Sequence, residues 1–400
     1  GAPFLWIYLT SFNHLFLGKE AAIRATLLES TLLGALATVV VFFIALRLTQ
    51  DRRVAWTAFL LSTLTANAFL NAMNGMDTAL FTLAVLLSIA ACLGIGKTAR
   101  WSPFAWGCVI GAAAGLTILT RGDGLFLLLG IVCLKLYEWW AAPERQRREH
   151  VQSLLGILLL SLLCFGLFMG WQLVQTGSPF PGNQVGRRGL ALALHNFSFD
   201  EFSPSRYLSI VAWNIFQLWD LVTIATGGAL LALVAFVFGS LDRRLRLLAL
   251  ISWIYLGVFF ALLVSYQWYF ADFHGLRYIN PATHILFIFI AFLLWQLPFE
   301  FWKRGAVVLL ASTLVVVAGY KHYQIASRAP VYRSYIGRPD LRESKKFWGV
   351  IDWMRDNLTA DTIVGVRDYG RVSMFTDVRI QDLAGNIDPQ VPIALKNGTL

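Results

Sequence analysis

The sequence predicts an all-α polytopic membrane protein, followed by the beginning of a small α/β domain. Of the 400 residues, 57% are hydrophobic and 14% are charged, with a mean hydropathy of +0.62, whereas soluble domains carry about 25% charged residues. Apolar runs also recur along the chain, separated by short breaks that are basic or contain Gly and Pro. A chain with so little polar surface excludes an ordinary soluble globular protein.

The apolar runs assign residues 1–320 to a transmembrane domain and residues 321–400 to an extracytoplasmic domain. A membrane span needs about 20 predominantly apolar residues, and ten runs approach or reach that length. They lie at about 25–47, 54–70, 78–95, 104–119, 125–140, 152–174, 218–239, 247–265, 281–297 and 305–320.

Basic residues divide the connecting segments into two alternating sets. The Lys- and Arg-rich short loops are QDRR (50–53), KTAR (97–100), PERQRRE (143–149), DRRLR (242–246) and KR (303–304). Short loops of this kind face the cytoplasm, so the alternate segments face outward. Much of the net charge of +10 lies in these loops, so it predicts no nucleic-acid partner. We therefore expect a multi-pass protein of the inner (plasma) membrane with its functional face outside the cytoplasm.

The first apolar stretch, PFLWIYLTSFNHLFLG (3–18), does not fit the alternation if it spans the membrane. We interpret 3–17 as an interfacial helix on the outer leaflet, with Trp6 and Tyr8 at headgroup level. The alternative is an ordinary span.

The last eighty residues are charged and contain Pro, Asp and Gly turns. FWGVIDWM (347–354) has apolar residues at helical spacing, whereas TIVGV (362–366) and VSMFTD (372–377) are typical of short strands joined by a DYGR turn. This pattern predicts the start of an α/β domain, cut off before it closes.

Charged and polar residues collect at the segments predicted to face outward. Asp77 opens a span, and TRGDG (120–124) is the tip of a helical hairpin. The segment GSPFPGNQVGRRG (177–189) follows a span, and HGLRYINP (274–281) precedes another. The candidate site residues are Asp77 as a catalytic residue and Arg121, Asp123, Arg187, Arg188, His274, Arg277 and Tyr278 as substrate-binding residues.

Such residues suit an anionic, membrane-embedded substrate, because the guanidinium fork matches phosphate oxygens. A carboxylate can act as a general base or hold a divalent cation, and the sequence assigns no cofactor. Each residue also has a structural alternative. Arg277 could snorkel to headgroups, Arg121 and Asp123 could pair locally, and Asp77 could cap its helix.

Several motifs resemble those of the GT-C polyprenyl-phosphate-sugar glycosyltransferases, which include bacterial mannosyl- and arabinosyltransferase-like proteins and, more distantly, lipid A aminoarabinose transferases and protein mannosyltransferases. In chain order the resembling stretches are GAPFLWIYL, NGMDTALF, TRGDG, GSPFPGNQ, LRYINP and YGRVSMFTDVRIQDLAGNIDPQV. Gly122 replaces a proline of the family's hairpin motif, and Gly182 interrupts its Pro-Asn pair.

The resemblance implies a GT-C helical bundle whose partners are a polyprenyl-phosphate-linked sugar, a cell-envelope acceptor and the lipid bilayer. It makes Asp77 the family's second acidic position, which assists a principal acid expected before Gly1 or helps hold a metal. It makes Arg121, Arg187 and Arg277 ligands of the donor phosphate. The chain is accordingly expected to be a fragment.

Three other functions remain open. A transporter or flippase of lipid-linked glycans would place charges along the middle of its spans or in paired broken helices. An O-antigen-ligase-like enzyme would share the architecture and differ in its diphosphate-linked donor. A non-catalytic scaffold would show no clustering of charges at one face.

The basic loops predict that 97–100, 143–149 and 242–246 are cytoplasmic, while 120–124, 177–207 and 321–400 face outward. A single cysteine at position 145 should therefore resist a membrane-impermeant thiol reagent in intact cells. Labelling at this position would overturn the topology.

Overall fold

The computed structural model describes residues 4–64, 77–122, 124–176, 276–296, 342–366 and 376–382, together with the single residues 305 and 316. These residues form helices and one small sheet. The elements are α1 (Phe4–Phe16), α2 (Lys19–Thr49), α3 (Arg52–Leu64), α4 (Thr78–Cys92), α5 (Pro103–Thr120), α6 (Gly124–Ala141), α7 (Glu144–Thr176), α8 (Leu276–Gln296), α9 (Arg342–Asn357), β1 (Ile363–Val366) and β2 (Arg379–Asp382).

Four helices in the described part are long and apolar enough to cross a membrane: α2, α5, α6 and α7. The shorter α4 and the middle of α8 are also apolar. Each of these helices coincides with a predicted span, and α3 covers the first part of another. The prediction of an all-α polytopic membrane protein is confirmed. The runs at 218–239 and 247–265 lie outside the described residues. Of the run at 305–320, only residues 305 and 316 are described.

The closest helix packing joins α5 to α7 through glycines. A Cβ atom on Gly111 would lie 2.5 Å from the carbonyl oxygen of Ile157, and one on Gly115 would lie 2.5 Å from Cys164 Sγ. On the facing helix, a Cβ on Gly156 would lie 2.8 Å from the backbone nitrogen of Cys108. The contacts advance in the same order along both helices, so α5 and α7 run parallel. Small residues spaced four apart allow such backbone contact inside a membrane.

Helix α4 lies at the centre of the bundle. It contacts α2, α5 and α8, and thirteen of its fifteen residues are buried. The indole N–H of Trp106 on α5 donates to the carbonyl oxygen of Ala91 in the last turn of α4, at 3.1 Å. Because α4 and α5 run in opposite directions, the start of α4 lies beside the end of α5. We call this end of the bundle the Asp77 end.

Helix α1 has 13 residues, a length of about 20 Å, which is shorter than the hydrocarbon core of about 30 Å. Its Asn13 amide donates to Glu29 Oε2 of α2 at 3.0 Å, and its Phe4 ring lies 5.2 Å from that of Trp171 on α7. Tyr8 is exposed as expected at an interface, but Trp6 is buried against protein. The interfacial placement of this helix stays a prediction.

The C-terminal elements form a small α/β unit. β1 and β2 are parallel, with Ile363 opposite Arg379 and Val366 opposite Asp382, and α9 covers them through Ile351 and Met354. The predicted helix and the strand at 362–366 both appear. The second strand begins two residues after VSMFTD, whose first four residues lie outside the described part.

The glycine contact predicts that Gly111→Ala destabilises the bundle. The new methyl group would collide with the backbone of Ile157, which cannot move without displacing α7, and overpacking of this kind costs about 1 to 3 kcal/mol. Gly166→Ala on α7 is the matched control, because nothing lies within 4 Å of its Cβ position. The free energy of unfolding of the detergent-solubilised protein checks this prediction. Equal stability of the two variants would contradict it.

Candidate functional site

Asp77 lies directly before α4 and is 8% exposed. It occupies the N-cap position, and its carbonyl accepts from the Phe81 N–H at 2.9 Å. Its carboxylate, however, makes no capping hydrogen bond, and the residue has helical rather than extended backbone angles. Ordinary capping therefore does not explain an acid at this position.

Arg121 ends α5 at the hairpin that leads into α6. Its N–H donates to the Thr117 carbonyl at 2.8 Å, and its own φ of −154° and ψ of 137° turn the chain away from the helix axis. The hairpin is tight, since a Cβ on Gly124 would lie 2.5 Å from Thr117 Oγ1 and 2.6 Å from the nitrogen of Ile118. Glycine at the end of the TRGDG motif is required by this close approach.

The two charges meet across the helices. Arg121 Nη1 lies 3.5 Å from Asp77 Oδ2, and the guanidinium carbon lies 5.2 Å from the centroid of the buried Phe81 ring. Arg121 is also 8% exposed. Burying either charge alone would carry a large desolvation cost, so each provides the compensation that the other needs. A cation over an aromatic face adds a further electrostatic attraction.

Helix α8 places a third element at the Asp77 end. The Asn280 amide donates to Thr82 Oγ1 on α4 at 2.9 Å, and both residues are buried. This bond joins the second turn of α8 to the second turn of α4. The first turn of α8, which contains Arg277 and Tyr278, therefore begins beside the first turn of α4. The side chains of these two residues are outside the described part of the chain.

The structure thus brings Asp77 and Arg121 together and places the backbone of Arg277 and Tyr278 at the same end. Four other predicted site residues, Asp123, Arg187, Arg188 and His274, lie outside the described residues. Within the described ranges, no group of three His, Cys, Asp or Glu side chains is arranged to hold a metal ion.

The sequence analysis did not identify Phe81, Thr82 or Asn280. A signal existed for two of them, because a buried amide or hydroxyl in an apolar helix requires a hydrogen-bond partner. The sequence does not reveal which polar residues pair when they come from distant helices.

The chain resembles known proteins in part of its sequence and in its fold. Residues 3–176 match the protein family described as dolichyl-phosphate-mannose-protein mannosyltransferase. Among solved structures, the chain is similar to the archaeal oligosaccharyltransferase AglB from Archaeoglobus fulgidus, in complex with an inhibitory peptide and a dolichol-phosphate. The TM-score is 0.59 at 14% identity, over 98% of this chain and 56% of AglB. The chain has the GT-C fold.

A second GT-C structure is also similar: ArnT from Cupriavidus metallidurans bound to undecaprenyl phosphate. It gives a TM-score of 0.56 at 15% identity, over 100% of this chain and 78% of ArnT. No curated protein sequence matches the chain. The GT-C resemblance predicted from the motifs is confirmed at the level of the fold. The chain spans little more than half of the AglB chain.

The buried pair predicts coupled effects on stability. Asp77→Asn and Arg121→Gln should each lower the free energy of unfolding by about 3 to 5 kcal/mol, because each leaves the opposite charge buried without its partner. The double variant should lose less than the sum of the two single losses. Unfolding titrations of the four proteins measure the coupling.

The exposed pair of Asp352 and Arg355 is the matched control, with a 3.7 Å separation and side chains that are 63% and 49% exposed. Asp352→Asn should cost less than about 1 kcal/mol. Strictly additive losses for Asp77 and Arg121 would show that the two charges do not stabilise each other.

Proposed function

We propose that the protein is a membrane glycosyltransferase that moves a sugar from a polyprenyl-phosphate donor to an acceptor hydroxyl on the extracytoplasmic face of the inner (plasma) membrane. One observation carries the proposal: three separate helices bring Asp77, the TRG segment (120–122) and the LRY segment (276–278) to the same end of the bundle, where Asp77 and Arg121 are in contact. Segments that resemble three GT-C motifs therefore converge in space.

The compared proteins support the class of donor. The AglB structure contains a dolichol-phosphate, and the ArnT structure contains undecaprenyl phosphate. Both ligands are long isoprenoid chains that end in a phosphate. The family matched by residues 3–176 also takes its name from a dolichyl-phosphate sugar. A polyprenyl monophosphate is thus the chemistry that these proteins share.

We assign to Asp77 a supporting role in the proton transfer of the reaction. The acceptor oxygen attacks the anomeric carbon of the donor sugar, the bond from that carbon to the phosphate oxygen breaks, and a carboxylate takes the hydroxyl proton. In this proposal Asp77 assists the carboxylate that accepts the proton, and that carboxylate belongs to a different residue. Arg121 holds the Asp77 carboxylate in place, because the two charges compensate each other in a buried setting.

The donor phosphate needs cations that can approach it from solvent or lipid. Arg277 is our principal candidate, with Arg187 and Arg188 from the segment after α7, and their guanidinium groups would stabilise the charge of the departing lipid phosphate. Arg121 is 8% exposed and pairs with Asp77, so we propose it as a support for that carboxylate and not as a direct ligand of the phosphate. Asp123, His274 and Tyr278 remain candidates for orienting the sugar or the acceptor.

Reconstitution of the full-length protein tests the proposal. Proteoliposomes that contain polyprenyl-phosphate donors with labelled mannose or arabinose should transfer label to cell-envelope extract. Arg277→Ala should reduce use of the donor by roughly 10- to 100-fold, the scale of losing one or two charged hydrogen bonds. Arg277→Lys should recover part of this loss, because an ammonium supplies charge without the planar fork.

Asp77→Asn should reduce turnover per folded molecule by at least about 100-fold, the usual scale for lost acid–base assistance. Because the same change is expected to destabilise the protein, the folded fraction is measured in parallel by size-exclusion chromatography. Trp140→Ala, an exposed side chain on α6 near the opposite end, is the matched control and should transfer label like the wild type. Movement of the intact labelled donor across the bilayer without transfer would support a flippase and overturn the proposal.

A further inference from the structure

Helix α8 contains a proline that weakens the turn in front of it. Pro281 is the sixth residue of this helix. A helical N–H donates to the carbonyl four residues earlier, but proline has no N–H, and its ring crowds that carbonyl. The carbonyl concerned belongs to Arg277. The turn that contains Arg277 and Tyr278 is therefore attached to the rest of α8 less firmly than an ordinary first turn.

A side-chain bond lies beside this weak point. Asn280, the residue before Pro281, donates through Nδ2 to Thr82 Oγ1 at 2.9 Å. Asn280 is 4% exposed and Thr82 is 1% exposed, so water does not compete for the bond. The bond ties α8 to α4 only one turn away from Asp77, at the position where the helix's own hydrogen bonding is interrupted.

The opposite end of α8 is tied in a similar way but far from the site. The Trp295 indole N–H donates to Thr57 Oγ1 on α3 at 2.9 Å, and Arg53 lies 5.6 Å from the Trp295 ring. No proline interrupts this end of the helix. The two threonines thus hold the same helix by equally long bonds, but only Thr82 lies at the Asp77 end.

We propose that Asn280 and Thr82 are positioning residues for donor binding. Their bond fixes the first turn of α8 against α4 and so holds Arg277 in register with the Asp77 and Arg121 pair. This inference rests on the proposed function, since it gives the donor phosphate as the ligand that Arg277 meets. The buried, uncharged hydrogen bond between Asn280 and Thr82 would therefore control the affinity for the donor.

Two isosteric changes separate positioning from simple stability. Thr82→Val removes the hydroxyl that accepts from Asn280, and Thr57→Val removes the one that accepts from Trp295, with the same change in shape. In nanodiscs containing the full-length protein, Thr82→Val should raise the KM for the polyprenyl-phosphate sugar about threefold to tenfold, the scale of one neutral hydrogen bond. The KM for the acceptor should change less than about twofold. Thr57→Val should leave both values near wild type, and Thr82→Ser should restore the donor KM.

Hydrogen–deuterium exchange gives a measurement that does not depend on activity. The peptide covering 276–284 should exchange faster in Thr82→Val than in the wild type, Thr82→Ser or Thr57→Val. If Thr82→Val does not accumulate, Thr82→Ala removes the same acceptor in a smaller side chain. Equal donor KM values for the Thr82 and Thr57 variants, or unchanged exchange in this peptide, would overturn the inference. Absence of transfer by the wild type would refute the proposed function, while the exchange data would still decide the positioning.

Discussion

The close approach of α5 to α7 is the constraint on which the described bundle depends. In hydrocarbon there is no hydrophobic gain from joining two apolar helices, so van der Waals contact and polar pairs must hold them. Gly111 and Gly156 let the two backbones touch. Once α5 is fixed in this way, the hairpin at its end is fixed as well, because Gly124 admits the backbone of Thr117 and Ile118. The position of Arg121 follows from glycine packing that begins several turns away.

Side-chain contacts then determine how the remaining helices meet. Asp77 with Arg121 joins α4 to α5, Asn280 with Thr82 joins α8 to α4, and Trp295 with Thr57 joins α8 to α3. An apolar helix surface can slide or rotate against another at small cost, whereas a buried polar atom that loses its partner costs about 1 to 3 kcal/mol. These pairs therefore specify register and rotation more than they add to the total free energy of unfolding.

The helices could be predicted from the sequence because the bilayer imposes a length and a polarity on each span. The candidate residues could be assigned to one face, because basic loops mark the opposite one, and the contact between Asp77 and Arg121 agrees with that assignment. The pairing itself could not be predicted, since Asp123 was an equally reasonable partner for Arg121. Trp6 was expected at the headgroups because its ring has a polar N–H; the fold packs it against protein, and its depth in the bilayer stays a prediction.

The burial of Arg121 also changes the charge that a ligand would encounter. Asp77 and Arg121 form a neutral unit with little exposure, so neither contributes a full charge at a distance. Under the proposed function, attraction for the donor phosphate is therefore assigned to Arg187, Arg188 and Arg277. A neutral pair does not repel an anionic lipid phosphate, so the burial of Asp77 with Arg121 is compatible with the proposed donor.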